Sequence, residues 1–403
     1  MILSAPVLLD LSHTSHTRAR TGVQRVARSL FRGLGEAALP ITHDPHRGTW
    51  RMLDSWERTN LTTDGSAEKR GARWPLVVRI RGRVHRSFGR AARVDPQLAR
   101  DASAVSGLIV PELFSPATAR ALPDLFAASS GPRVAVFHDA IALQFPELAP
   151  PKTVARFPAY LVELLAFDGI AAVSDDSRAA LLDYWRWLGA PAPPPVTTIG
   201  LGMDTHRAGQ MGADSPTRPP VDAPVVLSVG SIEGRKNHLA LLEACERVWA
   251  GGATFSLHLI GLSQPQTAAA ALARIRQLQS AGRRLRYDGP VDEAALEAAY
   301  AACTFTVYPS LVEGFGLPVL ESLAHGRPCV CSARRALGEA ARGGGCVALD
   351  RVDAPSLAGA IARLLESPAE IESLARQACA RRFRSWSDYV NDLRAWMEEL
   401  PRP

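Results

Sequence analysis

Long apolar runs are missing from this sequence. Nowhere in its 403 residues does an uninterrupted apolar stretch approach the ~18 needed for a membrane-crossing helix, so a spanning chain is not expected. The first ten residues carry no basic segment ahead of a long apolar core, so no secretory signal is read there. The six cysteines, at 245, 303, 329, 331, 346 and 379, form no CxxC pair and have no His cluster beside them. That spacing speaks against a zinc site and a disulfide framework, and for reduced, buried thiols in a cytosolic protein. There is no Asp-x-Asp pair to hold a divalent metal, and no internal repeat.

What is present is ordinary in amount. Apolar residues make up 47% of the chain, which excludes wholesale disorder. The length exceeds one compact core and predicts two domains of roughly 150–200 residues. The net charge of +6 is compatible with nucleic acid, an anionic membrane surface or a merely Arg-rich composition, so its location matters more than its sum.

Strand-like runs alternate with helical patterns. In the first half, strands are expected over 7–11, 105–110, 134–138, 170–174 and 196–199, and helices over 23–34, 118–128, 153–165 and 177–188. In the second half, strands are expected over 225–229, 256–260, 305–308 and 329–331, with helices over 237–248, 267–281, 293–302 and 318–324. Such alternation makes parallel, doubly wound α/β sheets, here two Rossmann-like lobes. Linker residues around 203–223 put the boundary there, giving lobes over 1–204 and 205–384. A last apolar stripe predicts a helix from Trp386 onward, over 385–403, that must pack on another element.

Two stretches of the second lobe carry chemistry. After the strand ending near Gly230 come Arg235, Lys236 and Asn237, the last a good N-cap for the next helix. Ligands of open α/β sheets bind beyond the carboxyl ends of the strands, and two cations beside helix amides suit a diphosphate; a solvated turn explains the same residues. The run from Tyr308 to Glu321 is more specific. Gly314 and Gly316 permit a tight loop, Pro318 suits a helix's first turn, and Gly326 suits its end. Glu313 and Glu321 stand eight apart, one in the loop and one expected in the helix's first turn. Carboxylates there suit vicinal sugar hydroxyls; the competing reading is a capping box and a surface acid.

These motifs resemble the retaining glycosyltransferases of the GT-B fold, in the large family 4 that includes bacterial mannosyl- and rhamnosyltransferases. The resemblance runs from Leu227 through Gly-Arg-Lys-Asn237, through Asp288-Gly-Pro-Val-Asp-Glu293, to Glu313–Glu321 and Phe383-Arg-Ser-Trp386. It implies two lobes facing a central cleft, with the last helix, 385–403, crossing back to the first lobe. It implies that Glu321 holds the nucleotide ribose and that Glu313 lies near the donor sugar's reacting carbon. The donor-binding set would be Gly230, Arg235, Lys236, Gly314, Phe315, Gly316, Leu317 and Glu321, with the two cations on the diphosphate.

In the first lobe, His138 ends a strand and is followed by Asp139, Pro146 and Glu147. A lone His is commonly structural, but a His at a strand's carboxyl end can orient a substrate or act as a base. The resembled family carries an active-site His in this place. The segment Gly22-Val-Gln24-Arg25 leads into a helix where family members have a more Gly-rich turn, so it is assigned, with Asp139, to the acceptor or to the phosphates. Ser174 and Ser177 match a family segment and equally suit a helix cap.

Between Lys69 and Arg93 there are nine basic residues and no acid, with Arg79, Arg83, Arg86, Arg90 and Arg93 at helical spacing and Val77, Ile80, Val84 and Phe88 on another face. A basic amphipathic helix on an anionic membrane is one reading and a solvated insert is the other. No nucleic-acid motif is present.

The expectation is therefore a hexosyltransferase. It takes a nucleoside diphosphate sugar, GDP-mannose favoured by the resemblance, to a glycan or lipid-linked acceptor of surface polysaccharide synthesis, in the cytoplasm, with the inner face of the cytoplasmic membrane as the alternative location. No cofactor or metal is expected. A non-catalytic nucleotide-sugar scaffold and a GT-B epimerase or phosphorylase stand as alternatives.

Overall fold

A computed structural model describes residues 6–19, 22–63, 73–88, 92–203, 223–264 and 267–401, with side chains of 85–88 outside that description. The elements of the first half are β1 (Val7–Asp10), α1 (Gly22–Leu34), β2 (Ala38–Asp44), β3 (Thr49–Met52), α2 (Ser55–Thr62), α3 (Leu76–Phe88), α4 (Pro96–Ala102), β4 (Gly107–Val110), α5 (Pro116–Ala128), β5 (Arg133–Phe137), α6 (Ile141–Gln144), α7 (Pro151–Glu163), β6 (Gly169–Ala172), α8 (Asp175–Leu188) and β7 (Val196–Thr198). Those of the second are β8 (Val225–Val229), α9 (His238–Ala250), β9 (Ser256–Ile260), α10 (Ala269–Ser280), β10 (Leu285–Tyr287), α11 (Glu293–Ala302), β11 (Phe305–Tyr308), α12 (Leu317–Ala324), β12 (Cys329–Ser332), α13 (Arg335–Ala341), β13 (Cys346–Leu349), α14 (Ala354–Glu366), α15 (Pro368–Cys379) and α16 (Trp386–Glu399).

The chain divides into two compact units: 1–140 with 155–201 and 386–403, and 141–154 with 202–385. The first holds a seven-stranded sheet ordered β3-β2-β1-β4-β5-β6-β7, parallel except for β3 against β2. The second holds a parallel six-stranded sheet ordered β10-β9-β8-β11-β12-β13. Both sheets are entered at a middle strand and wound outward in two directions. Each therefore has one switch point, between β1 and β4 in the first and between β8 and β11 in the second, where the crevice beyond the strand ends opens for a ligand.

The short central strands are buried along their whole length: β1, β4, β6, β11 and β12 have no exposed residue. That is the signature of parallel strands covered by helices on both faces, and it is why they read as continuous apolar runs. Fully buried Leu8, Leu9, Ile109, Val134 and Ile170 fill the first core, and Leu241, Phe255, Leu257 and Phe305 the second. Each such side chain contributes roughly 1.5–3 kcal/mol of transfer free energy.

The helix expected at the end of the sequence is α16, and it belongs to the first unit. Three glycines make its seat: a Cβ at Gly33 would meet Val390, at Gly107 Met397, and at Gly169 Trp396 and Leu400, each within 2.8 Å. Residues 141–154, expected in the first lobe, group with the second unit, where Arg335 donates to Gln144 Oε1 at 2.7 Å and lies over the Phe145 ring. The sequence pattern also passed over β2 and β3. β2 ends in Thr-His-Asp, polar residues that are nonetheless buried, because Asp44 accepts from the His46 and Arg47 amides and from Arg51.

Candidate functional site

At the switch point of the second unit, β8 ends in a loop that carries Arg235 and Lys236, and β11 ends in the loop that carries Glu313. The loops are stitched together by backbone and side chain. The Leu311 amide and the Ser310 hydroxyl donate to Arg235 O at 2.8 and 3.1 Å. Asn237 stands at the start of α9 with φ 57°, but its side chain does not cap the helix as expected. It donates instead to Pro309 O and Val352 O, at 3.2 and 2.7 Å, and so binds the loop after β11 to the loop before α14.

Glu313 is the hub of this junction. Its Oε2 accepts from Arg235 at 2.7 Å, and its Oε1 accepts from Lys236, from Tyr308 at 2.9 Å and from Ser310 at 2.5 Å. Lys236 also donates to the Tyr308 hydroxyl and sits over its ring. Arg235 reaches Glu233 with its other end, at 2.9 Å. Burial by itself would raise the Glu313 pKa, but Arg235, Lys236 and the Ser310 hydroxyl outweigh it and hold the carboxyl at about 2. Burial and the adjoining Arg235 charge push Lys236 down to about 8, against the pull of Glu313. The result is a fixed, nearly neutral cluster in which Arg235 keeps a partly exposed edge. A carboxylate with these partners is a poor nucleophile and a poor base; what it does well is fix two cations in place.

The loop from Glu313 turns through Gly316, at φ 103° and ψ 38°, where a Cβ would come within 3.4 Å of Leu337 and Ala340. α12 then starts at Leu317, with Pro318 in its first turn, and Gly326 closes it at φ 64°. Because the helix begins at Leu317, Glu321 falls in the second turn rather than the first. It is buried, and its Oε2 accepts from Tyr300 at 3.1 Å. Tyr300 stacks on His325, ring centroids 4.7 Å apart, and His325 is fixed by Glu297 at 2.9 Å. Gly314 and Phe315 are half-buried and Leu317 is buried. Gly230 closes β8 with its amide on Ile260 O at 2.9 Å.

The first unit has its own switch-point constellation, which the sequence pattern did not single out. β1 ends in Asp10, β4 leads into Glu112, and β2 carries His43. With Ser12, His13, Trp74, Leu113 and Phe114 they line a depression of about 290 Å³. Asp10 accepts from Ser12, amide at 2.9 Å and hydroxyl at 2.5 Å. Glu112 accepts from the Thr14 hydroxyl and from the amides of Thr14 and His13, at 3.1 and 3.3 Å. Burial, with the neighbouring Glu112 charge, pushes Asp10 up to about 7; burial likewise raises Glu112.

His138 lies next along the sheet, after β5, and is buried. Its Nε2 bonds to Pro111 O at 2.7 Å, the residue before Glu112. A carbonyl only accepts, so Nε2 carries the proton and Nδ1 is the lone-pair nitrogen. Burial lowers its pKa, so the ring is neutral. Ser177 donates to His138 O at 2.9 Å, and Ser174 caps α8 by accepting from the Ser177 amide, which accounts for that serine pair structurally. Of the expected acceptor-loop residues, Gly22 opens α1 with no atom of the described residues within 4 Å of its Cβ position. Gln24 is buried, 3.4 Å from His13 Nδ1, while Arg25 is half-buried. Among the described residues no group of three His, Cys, Asp or Glu side chains could hold a metal ion.

Residues 223–367 match the family model described as glycosyl transferases group 1, a span that contains every member of the second-unit constellation. O-antigen chain mannosyltransferase B of Escherichia coli is 31% identical over 274 residues, 63% of this chain and 67% of that protein. The chain belongs to the group 1 glycosyl transferases. A serotype-specific mannosyltransferase, WbdA of Escherichia coli, is 23% identical over 346 residues; the match takes in 80% of this chain but 38% of WbdA. This group 1 member therefore spans well under half the length of that relative. Among solved structures, Anabaena Alr3699/HepE in complex with UDP and glucose superposes with a TM-score of 0.67 at 14% identity, over 98% of this chain and all of that one. At that identity the likeness is one of fold, the two-lobed α/β fold of GT-B glycosyltransferases.

Proposed function

We propose that the chain transfers mannose from a nucleoside diphosphate sugar, GDP-mannose first, to a hydroxyl of a growing surface glycan, with retention of anomeric configuration. The observation that carries this reading is the Arg235–Lys236–Glu313 junction at the second switch point. The mannosyltransferase names of the relatives support the sugar and the glycan.

In this reading Arg235 and Lys236 oppose the diphosphate and stabilise the charge that develops as it departs. Gly314, Phe315 and Gly316 offer backbone amides, and Glu321, steadied by Tyr300, accepts the ribose hydroxyls. The acceptor oxygen attacks the anomeric carbon from the face the diphosphate leaves, the bond to the phosphate oxygen breaks, and the acceptor's proton passes to the departing phosphate. Glu313 is unsuited to a covalent intermediate, because four donors already hold it. The neutral His138 accepts a hydroxyl through Nδ1, and Asp10 and Glu112 accept from the sugar of the acceptor. In this reading the two cations do the work of a divalent metal, so chelation should leave the rate unchanged.

The test is donor binding and hydrolysis over a panel of nucleotide sugars, for the native chain and for Lys236→Ala and Glu321→Ala. One donor bound and slowly hydrolysed, with both substitutions abolishing it, supports the assignment. A panel in which nothing binds removes it.

A further inference from the structure

Most exposed apolar side chains are scattered, but four are not. Of the ten large ones exposed among the described residues, Leu76, Val77, Ile80 and Val84 lie within nine residues of α3, at 66%, 71%, 55% and 51% exposure. At ~100° per residue they fall in one arc of roughly 100° on the helix surface. Arg81 borders that arc on one side, and Arg83 and Arg79 on the other; all three are exposed.

The opposite side of the helix is attached to the protein. Gly82 is buried, and a Cβ there would stand 2.8 Å from His46 Cβ, so the helix backbone lies directly on the turn between β2 and β3. Just before α3, Trp74 stacks on the buried His16 at 3.8 Å and meets His46 edge-on at 5.3 Å. The exposed stripe is therefore not a face waiting for its own core: the helix is already docked, by its glycine side, with its apolar side outward.

We propose that α3 is an interfacial helix that binds this chain to an anionic lipid bilayer. Charge selects the occupant. The stretch 69–93 carries nine basic residues and no acid, and the arginines flank the apolar arc on both sides. Apolar side chains then enter the acyl boundary while guanidinium groups stay at the phosphate level, the arrangement of a basic amphipathic helix lying in the membrane plane. A stripe for a second copy of the chain would bring these arginines against each other.

The placement has a consequence that rests on the function proposed above, whereas bilayer binding itself does not. Trp74 leads directly into α3 and also lines the Asp10–Glu112 depression. A bilayer held by α3 would lie beside that depression, where a lipid-linked acceptor presents its sugar.

Co-sedimentation of the full chain with phosphatidylcholine vesicles, and with vesicles holding about 30% phosphatidylglycerol, tests the proposal. The native chain should pellet with the anionic vesicles only and be released by raised salt. The double variant Ile80→Asp/Val84→Asp should bind at least roughly tenfold more weakly, with unchanged circular dichroism and nucleotide binding. Because both side chains are exposed, loss of fold is not expected; Arg79→Glu/Arg83→Glu is the second variant and should lose binding likewise. A native chain that stays in solution at low salt overturns the proposal, as does equal binding by the aspartate variant. A native dimer that the aspartate variant splits, with no vesicle binding, overturns it in favour of self-association. Failure of these tests leaves donor binding untouched, so the two readings are distinguishable.

Discussion

The two units solve the same topological problem with different partners for their carboxylates. Each sheet is wound outward from a middle strand, and each puts ionisable residues where the winding reverses. In the second unit, two cations are fixed on the buried Glu313 and the half-buried Glu233, with Glu313 held at about 2 and Lys236 near 8. In the first, two buried carboxylates meet hydroxyls and amides, and Asp10 is raised to about 7. The difference lies in the partners. A carboxylate that receives Arg and Lys stays ionised at any ordinary pH, while one that receives a serine is left to desolvation. The first arrangement suits a departing diphosphate, the second a neutral, hydroxyl-rich acceptor.

The largest expected effect follows from removing one of the second unit's two cations. Lys236→Ala leaves Glu313 with one cationic partner fewer and, in the proposed reaction, takes a charge from the leaving group. It should lower kcat/KM by about 10²–10³-fold, as loss of a preorganised electrostatic donor does. A Glu313→Gln variant should fall by a similar factor although it adds no negative charge, because Arg235 and Lys236 lose the anchor that aims them. If Glu313→Gln matches the native rate, the hub role assigned to Glu313 is wrong.

A smaller effect sharpens the same contrast through pH. In the free protein Lys236 gives up its proton near 8, so donor affinity should fall about tenfold per unit above that point. Lys236→Arg, which stays charged, should carry the plateau past pH 9, whatever it costs in geometry. Isothermal titration of a nucleoside diphosphate from pH 6 to 9.5 reads both. A native affinity flat across this range would remove Lys236 from the phosphate.

How much of this was readable beforehand differs between the units for the same physical reason. The second-unit loops have their partners within short, distinctive stretches: Arg235-Lys236 in one, Glu313 with Gly314 and Gly316 in the other. The parallel strands read as apolar runs because both faces are covered. The first-unit depression is assembled from Asp10, His43 and Glu112, single residues at the ends of three strands far apart in the chain, and β2 was hidden by its polar end. Spacing along a sequence cannot show that 10 and 112 face each other; the order β2-β1-β4 does. The second turn of α12, rather than the first, holds Glu321 because Leu317 and not Pro318 begins the helix. Asn237 had the right position for a cap, but its amide was taken by two carbonyls from other loops.

The last contrast concerns stability, and Asp10 carries it. Its carboxyl has an unfolded value near 3.8 and a folded value of about 7, so between these limits the folded chain holds a proton the unfolded chain has released. Stability is then fully present below 3.8 and is lost as pH rises through about 7. Asn at this position cannot ionise and keeps the hydrogen bond from the Ser12 amide. Asp10→Asn should therefore gain on the native chain as pH rises from 5 to 7 and hold that margin at pH 8. The excess should be on the order of 1–4 kcal/mol, or several degrees in Tm. The corresponding change in the other unit, Glu313→Gln, should run the other way: it removes a carboxyl held near 2, and so costs stability at pH 8 as at pH 6. Thermal melts of the three proteins at pH 5, 6.5 and 8 separate the cases. Parallel melting curves for native and Asp10→Asn would mean that water reaches Asp10 and that the first unit's pocket is no place for a proton near neutrality.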